Sequence, residues 1–162
     1  MSNRLEILLR KAGRELADYQ VARFFKVPEE MQQTPCDFFG YTATGRAILI
    51  EAKMVNRPAL PIGNPPGLSP HQWNELCDAH RAGALALICW SRGDVCATFD
   101  MTIAQRLSDS RRSIPWDEIM FSHRTMVGPK AHLDLLSFWL PLPTADVARL
   151  PSIGAGRTPA TG

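Results

Sequence analysis

The stretch "TPCDFFGYTATGRAILIEAKMV", Thr34 to Val55, decides how this chain is read. Ala47-Ile48-Leu49-Ile50 is a near-continuous apolar run, the pattern of a central strand covered on both faces. Strand character is expected from Arg46 to Met54. "TATG" is a turn leading back to a second strand from about Cys36 to Tyr41. The apolar run passes directly into Glu51 and Lys53, with Asp37 one hairpin upstream. Charged groups at the end of a buried strand are costly unless they are paired or bind an ion.

The flanking sequence supplies the remaining elements. Leu5, Leu8, Leu9, Ala12 and Leu16 recur at helical spacing, which predicts an amphipathic helix from Asn3 to about Asp18, with Ser2 or Asn3 as its cap. Glu6 falls on the flank of that helix, neither clearly solvent-facing nor clearly core. "QVARFFKVP" reads as a short strand stopped by Pro28. The proline- and glycine-rich "NRPALPIGNPPGLSP" reads as a loop. Ser69 can cap the following helix, "PHQWNELCDAHRAG", which Gly83 ends. "ALALICW" and "VCATFD" are strands around the turn "SRGD", and "TIAQRLSDSRR" returns to helix. The expected fold class is therefore α/β, with an α-β-β-β-α-β-β-α core: a mixed sheet flanked by helices. A single domain is expected over residues 1–145, in which "LLSFWLPL" completes the core or forms a dimer surface. A small-residue, proline-rich tail is expected from 146 to 162.

Composition sets outer bounds. At 162 residues the chain suffices for one compact domain. A net charge of +2 permits a nucleic-acid partner without arguing for one. The four cysteines form no CxxC pair and read as free thiols. Cys77 and His80 have ligand-like spacing but no second pair to complete a zinc site. No apolar run reaches membrane-spanning length, and the N-terminus enters a charged helix, so a cytoplasmic protein with no membrane partner is expected.

Strand alternation sharpens the chemistry of the charged end. Residues i and i+2 share a face, so Glu51 and Lys53 project together and the hairpin sets Asp37 beside them. Two carboxylates with the Ala52 carbonyl and waters suit a hard ion such as Mg²⁺. A neighbouring lysine can orient or deprotonate a water, or stabilise phosphoryl charge, which together make a kit for metal-assisted phosphodiester hydrolysis. The competing reading is structural: Asp37 in a turn, with Glu51 and Lys53 an exposed strand-end pair.

The order Glu6, Asp37, Glu51-Ala52-Lys53, Gln72 resembles the PD-(D/E)XK nuclease superfamily and, within it, RecU-type Holliday junction resolvases. The likeness is carried by Asn3-Arg4-Leu5-Glu6, by Ala22 to Pro28, by Cys36-Asp37-Phe38-Phe39-Gly40 with Gly45-Arg46, and by Glu51-Ala52-Lys53. Asn56-Arg57, Leu60-Pro61-Ile62, His71-Gln72 and Ser113-Ile114-Pro115 continue it in the same order. It implies a restriction-endonuclease-like fold and a Mg²⁺-dependent endonuclease (Mn²⁺ a possible substitute), commonly a homodimer, that nicks four-way DNA junctions in pairs. By position, Asp37 and Glu51 would ligate the metal with the Ala52 carbonyl assisting, and Lys53 would position or activate the attacking water. Gln72 would hold Lys53 or that water, and Glu6 would act through water or one layer out. The chain departs from the family between Pro28 and Pro35. Only Glu29 to Thr34 stands where family members carry a long insertion that reaches the junction's centre. A related nuclease acting on other branched or duplex DNA, or a DNA-binding module that does not cut, are the alternatives.

Phosphate contacts are expected from Arg57 in the proline-rich loop and from Lys26 at a strand end. Arg10, Lys11 and Arg14 on the first helix are further candidates, with a solvated helix face as the competing reading. Phe38 and Phe39 are expected to pack the hairpin. Arg111 and Arg112 are expected to close the last helix through its dipole.

Overall fold

A computed structural model describes residues 4–28, 36–108, 112–120 and 125–126. In chain order the elements are α1 (Arg4–Asp18), β1 (Ala22–Lys26), β2 (Phe38–Thr42), β3 (Ala47–Met54), β4 (Ala59–Pro61) and α2 (Pro70–Arg81). They continue with β5 (Leu85–Arg92), β6 (Val95–Asp100), α3 (Met101–Ser108), β7 (Ser113–Pro115), α4 (Trp116–Met120) and β8 (Thr125–Met126). Six strands form one mixed sheet in the order β1-β2-β3-β5-β6-β8. β1, β2 and β3 pair antiparallel, β3 pairs parallel with β5 through the α2 crossover, and β6 and β8 add antiparallel strands.

The expected mixed sheet between helices is thus the architecture found. Ile48, Leu49 and Ile50 are all buried because β3 lies between β2 and β5 and is covered on both sides. Ile48 and Ile50 pack with Leu5, Leu9, Ala12 and Leu16 of α1 on one face. Leu49 joins Leu76 of α2, Met101 and Ala104 of α3 and Ile119 of α4 on the other. No helix among the described residues is long and apolar enough to cross a membrane.

The proline-rich stretch is more ordered than its composition suggests. β4 lies inside it and pairs antiparallel with β7 in a second, two-stranded sheet. The partner lies more than fifty residues downstream, so local composition could not disclose it. Trp90 fastens this layer: its Nε1 donates to the Val55 carbonyl oxygen at 2.8 Å, and its ring meets Trp116 edge-on, centroids 4.7 Å apart. α3 ends at Ser108, so Arg112 lies beyond its last turn rather than within it. Arg111, Ser2, Asn3, the connection 29–35, the "LLSFWLPL" segment and the tail from 146 fall outside the described residues.

The first hairpin is unusually close. Gly40 sits opposite Phe24, and a Cβ there would come within 2.0 Å of the Arg23 carbonyl oxygen and 2.5 Å of the Phe24 Cα. The obstruction is backbone, which cannot rotate away. Phe24 and Phe38, edge to face with centroids 5.8 Å apart, fill the space beneath. Gly40→Ala is therefore expected to lower stability by about 3 kcal/mol, read as a reduced urea midpoint. An unchanged midpoint would contradict the packing described.

Candidate active site

Asp37, Glu51, Lys53 and Gln72 come together at the carboxyl end of β3. Asp37 precedes β2, held in the ladder by its N–H to the Ile50 carbonyl oxygen at 3.0 Å, while its own carbonyl oxygen accepts from Val27 N–H at 2.8 Å. Its side-chain Oδ2 reaches across the hairpin and accepts the Ala52 N–H at 2.8 Å. Glu51, one residue earlier on β3, is 1% exposed. Its Oε1 accepts from Gln72 Nε2 and lies near Lys53 Nζ, both at 2.7 Å. Its Oε2 is buried with no hydrogen-bond partner among the described residues.

Gln72 reaches this strand because the start of α2 is locked. Ser69 Oγ accepts the Gln72 N–H at 3.1 Å, and Gln72 Oε1 accepts the Ser69 N–H at 3.0 Å, closing a reciprocal cap. The same Oε1 also accepts from Lys53 Nζ at 3.1 Å. One amide side chain therefore caps the start of the helix and ties the lysine to the glutamate. Sequence reading placed Gln72 and the Ser69 cap separately. The Ser-x-x-Gln spacing was the signal that could have linked them.

Glu6 and Lys26 form a second charged pair beside the first, Nζ to Oε2 at 2.5 Å, largely shielded from solvent. Lys26, a candidate phosphate contact, pairs with Glu6 in this structure. Arg57, Arg10, Lys11 and Arg14 are exposed, and Lys11 lies 4.0 Å from Glu15 along α1. Cys77 and His80 do not converge on a common point: Cys77 Sγ accepts from Gln105, and His80 meets Thr102. All four cysteines are free thiols.

The electrostatics are those of crowded, desolvated carboxylates. Burial, then the neighbouring Asp37, pushes the Glu51 carboxyl from the usual 4.5 up to about 7, against the pull of Lys53. Burial also raises Asp37; the Ala52 N–H and Lys53 oppose that rise and Glu6 adds to it. Burial and the same two carboxylates hold the Cys36 thiol up to about 12, so it remains protonated and is no nucleophile here.

This site fits a hard divalent cation. An unpartnered buried carboxylate oxygen beside a second carboxylate is a donor set in search of positive charge, and every donor is oxygen. Among the described residues no three His, Cys, Asp or Glu side chains are grouped to cage a metal. Two carboxylates plus waters is the coordination Mg²⁺ commonly takes.

No protein-family model matches the chain, and no curated protein matches it in sequence. Among solved structures it is similar to Hjc from Archaeoglobus fulgidus, a Holliday junction resolvase from an archaeal hyperthermophile. The identity is 19%, the TM-score 0.49, and the match covers 72% of this chain and 92% of that one.

The raised carboxyl of Glu51 has a sign that can be tested. The folded state holds its proton up to about pH 7 while the unfolded chain releases it near 4.5, so the associated stability is present below 4.5 and lost as pH rises towards 7. Without divalent ions, Glu51→Gln should be more stable than wild type near pH 8, by on the order of 3 kcal/mol, and should lose that advantage near pH 4. Thermal unfolding of both proteins across that range checks it; parallel curves would refute the buried, charged carboxylate.

Proposed function

We propose that the protein is a metal-dependent DNA endonuclease of the PD-(D/E)XK type, and that it resolves four-way junctions as RecU-like enzymes do. The observation carrying this reading is the gathering of Asp37, Glu51, Lys53 and Gln72, with one Glu51 oxygen left unsatisfied. A purely structural strand-end pair gives no reason to bury a carboxylate and leave half of it without a partner.

Asp37 and Glu51 would hold Mg²⁺, which supplies Lewis-acid stabilisation of phosphoryl charge and a more acidic water when bound. Asp37 is set for this by the Ala52 N–H, which takes Oδ2 and fixes the direction of the carboxylate. Gln72 fixes Glu51 through Oε1 and so dictates which oxygen remains available. Lys53, restrained by Glu51 and Gln72, directs its ammonium at the negative charge that accumulates on the phosphate as water adds and the sugar oxygen departs. Gln72 acts through Glu51 and Lys53 while anchored to the Ser69 cap, and is a positioning residue. A homodimer would set two such sites against opposed strands of a two-fold junction.

The short connection between Pro28 and Pro35 favours a second reading, in which the same chemistry is applied to other branched or duplex DNA. A synthetic four-way junction and a linear duplex of the same arms separate the two. Paired nicks confined to the junction are expected, only when Mg²⁺ or Mn²⁺ is present. Asp37→Asn and Lys53→Ala should each reduce cleavage on the order of a hundredfold or more while retaining the native unfolding transition. Cleavage in EDTA, or by either variant at the wild-type rate, would overturn the mechanism.

A further inference from the structure

Among the described residues, one half of the sheet is left without a covering helix on the face that carries Glu51 and Lys53. On β1, Ala22 and Phe24 point to α1, while Arg23 and Phe25 point the other way; on β2, Phe38 and Gly40 point to α1, and Phe39 and Tyr41 point away. α2, α3 and α4 cover β3, β5 and β6 on that opposite face. They leave Phe25, Phe39 and Tyr41 at 62%, 52% and 49% exposure. Phe39 was expected to pack the hairpin, and only Phe38 does so.

The register makes these side chains one surface. Phe25 is paired with Phe39, and Arg23 with Tyr41. Cross-strand neighbours have Cβ atoms ~5 Å apart and outward residues on one strand are ~6.8 Å apart, so the three rings are contiguous. Phe39 is paired with Leu49 of β3, and Glu51 and Lys53 follow Leu49 on that same face. The aromatic surface therefore lies on the face of the sheet that carries Glu51 and Lys53.

Its charge is positive. Arg23 stands within the patch. Arg10 and Arg14 of α1 share with Arg23, Phe25 and Lys26 the lining of a cavity of about 610 Å³ along the edge strand. The guanidiniums of Arg10, Arg14 and Arg23 have no ion-pair partner among the described residues. A second copy docked here about a two-fold axis would bring uncompensated arginines together, which is unfavourable. A polyanion with exposed aromatic faces meets both features at once.

We infer that Phe25, Phe39 and Tyr41, bordered by Arg10, Arg14 and Arg23, form a stacking platform for an unpaired nucleic-acid strand. The bases lie on the rings and the phosphates against the arginines. The platform names the form of substrate that the proposed nuclease site receives, an unpaired segment next to the phosphate to be cut. It rests on the nuclease reading for that consequence and on its own geometry for binding.

Binding is therefore measured in EDTA, apart from cleavage. The probes are a fluorescein-labelled oligo(dT) and a blunt duplex, read by anisotropy with the full chain. With oligo(dT) of roughly 12 nucleotides, Phe25→Ala, Phe39→Ala and Tyr41→Ala should each weaken binding roughly five- to hundredfold. Phe39→Trp should retain binding, and Thr102→Ala, an exposed residue on α3, which packs on β5 and β6 rather than on β1 and β2, should change it by less than about twofold. Binding of the blunt duplex should not depend on the rings. Oligo(dT) binding unaffected by the three alanine variants overturns the platform. So does sedimentation showing that Phe39→Ala splits a dimer while oligo(dT) affinity is kept, which assigns the face to a second copy. A protein that binds oligo(dT) through the rings yet never cuts DNA in Mg²⁺ refutes the nuclease reading and supports the platform; one that cuts junctions with no dependence on the rings refutes the platform alone.

Discussion

A carboxylate buried at the end of a strand needs something to hold it there, and in this chain Gln72 does most of the holding. Its Nε2 donates to Glu51, and its Oε1 accepts hydrogen bonds from both Lys53 Nζ and the Ser69 backbone N–H. The interaction is local to α2 on one side and to β3 on the other, so it joins the two elements whose relative placement creates the site. Without it, Glu51 and Lys53 would collapse into a simple ion pair with both carboxylate oxygens free to choose partners. With it, Oε1 is committed and Oε2 is left buried with no hydrogen-bond partner among the described residues.

The sheet supports this arrangement in two ways. Parallel pairing of β3 with β5 across seven residue pairs fixes the strand end, because β5 is itself buried along nearly its whole length. The antiparallel hairpin then delivers Asp37 from the other side, through ladder hydrogen bonds that make its position a consequence of register. Crowding of negative charge follows, and so does the raised Glu51 carboxyl. Strain of this electrostatic kind is commonly found where a charge is to be bound or a reaction performed. The aromatic face beside it has a related origin: α2, which carries Gln72 to the site, packs with α3 over β3, β5 and β6 and not over the outward face of β1 and β2.

Much of this was legible in the letters. The apolar run Ile48 to Ile50 announced a central strand, and the alternation of Glu51 and Lys53 placed both on one face. The turn at Thr42 to Gly45 brought Asp37 alongside, and the Ser69-Pro70 cap set the start of α2. These are features of local period and turn chemistry. What escaped notice depends on contacts between distant segments. The pairing of Glu6 with Lys26 joins a helix flank to a strand end. β4 is a strand only because β7 lies beside it. The exposure of Phe39 depends on which strands the helices cover, and no window of sequence around Phe39 contains that information.

In the function proposed above, Asp37 and Glu51 together create a site for a divalent cation. Calorimetric titration of Mn²⁺ and Mg²⁺ into the protein without DNA tests it most directly. Saturable uptake of a single ion per chain is expected, abolished by Glu51→Gln and by Asp37→Asn and preserved in Ile7→Ala. Uptake of equal strength in all four proteins, or none in any, would contradict it.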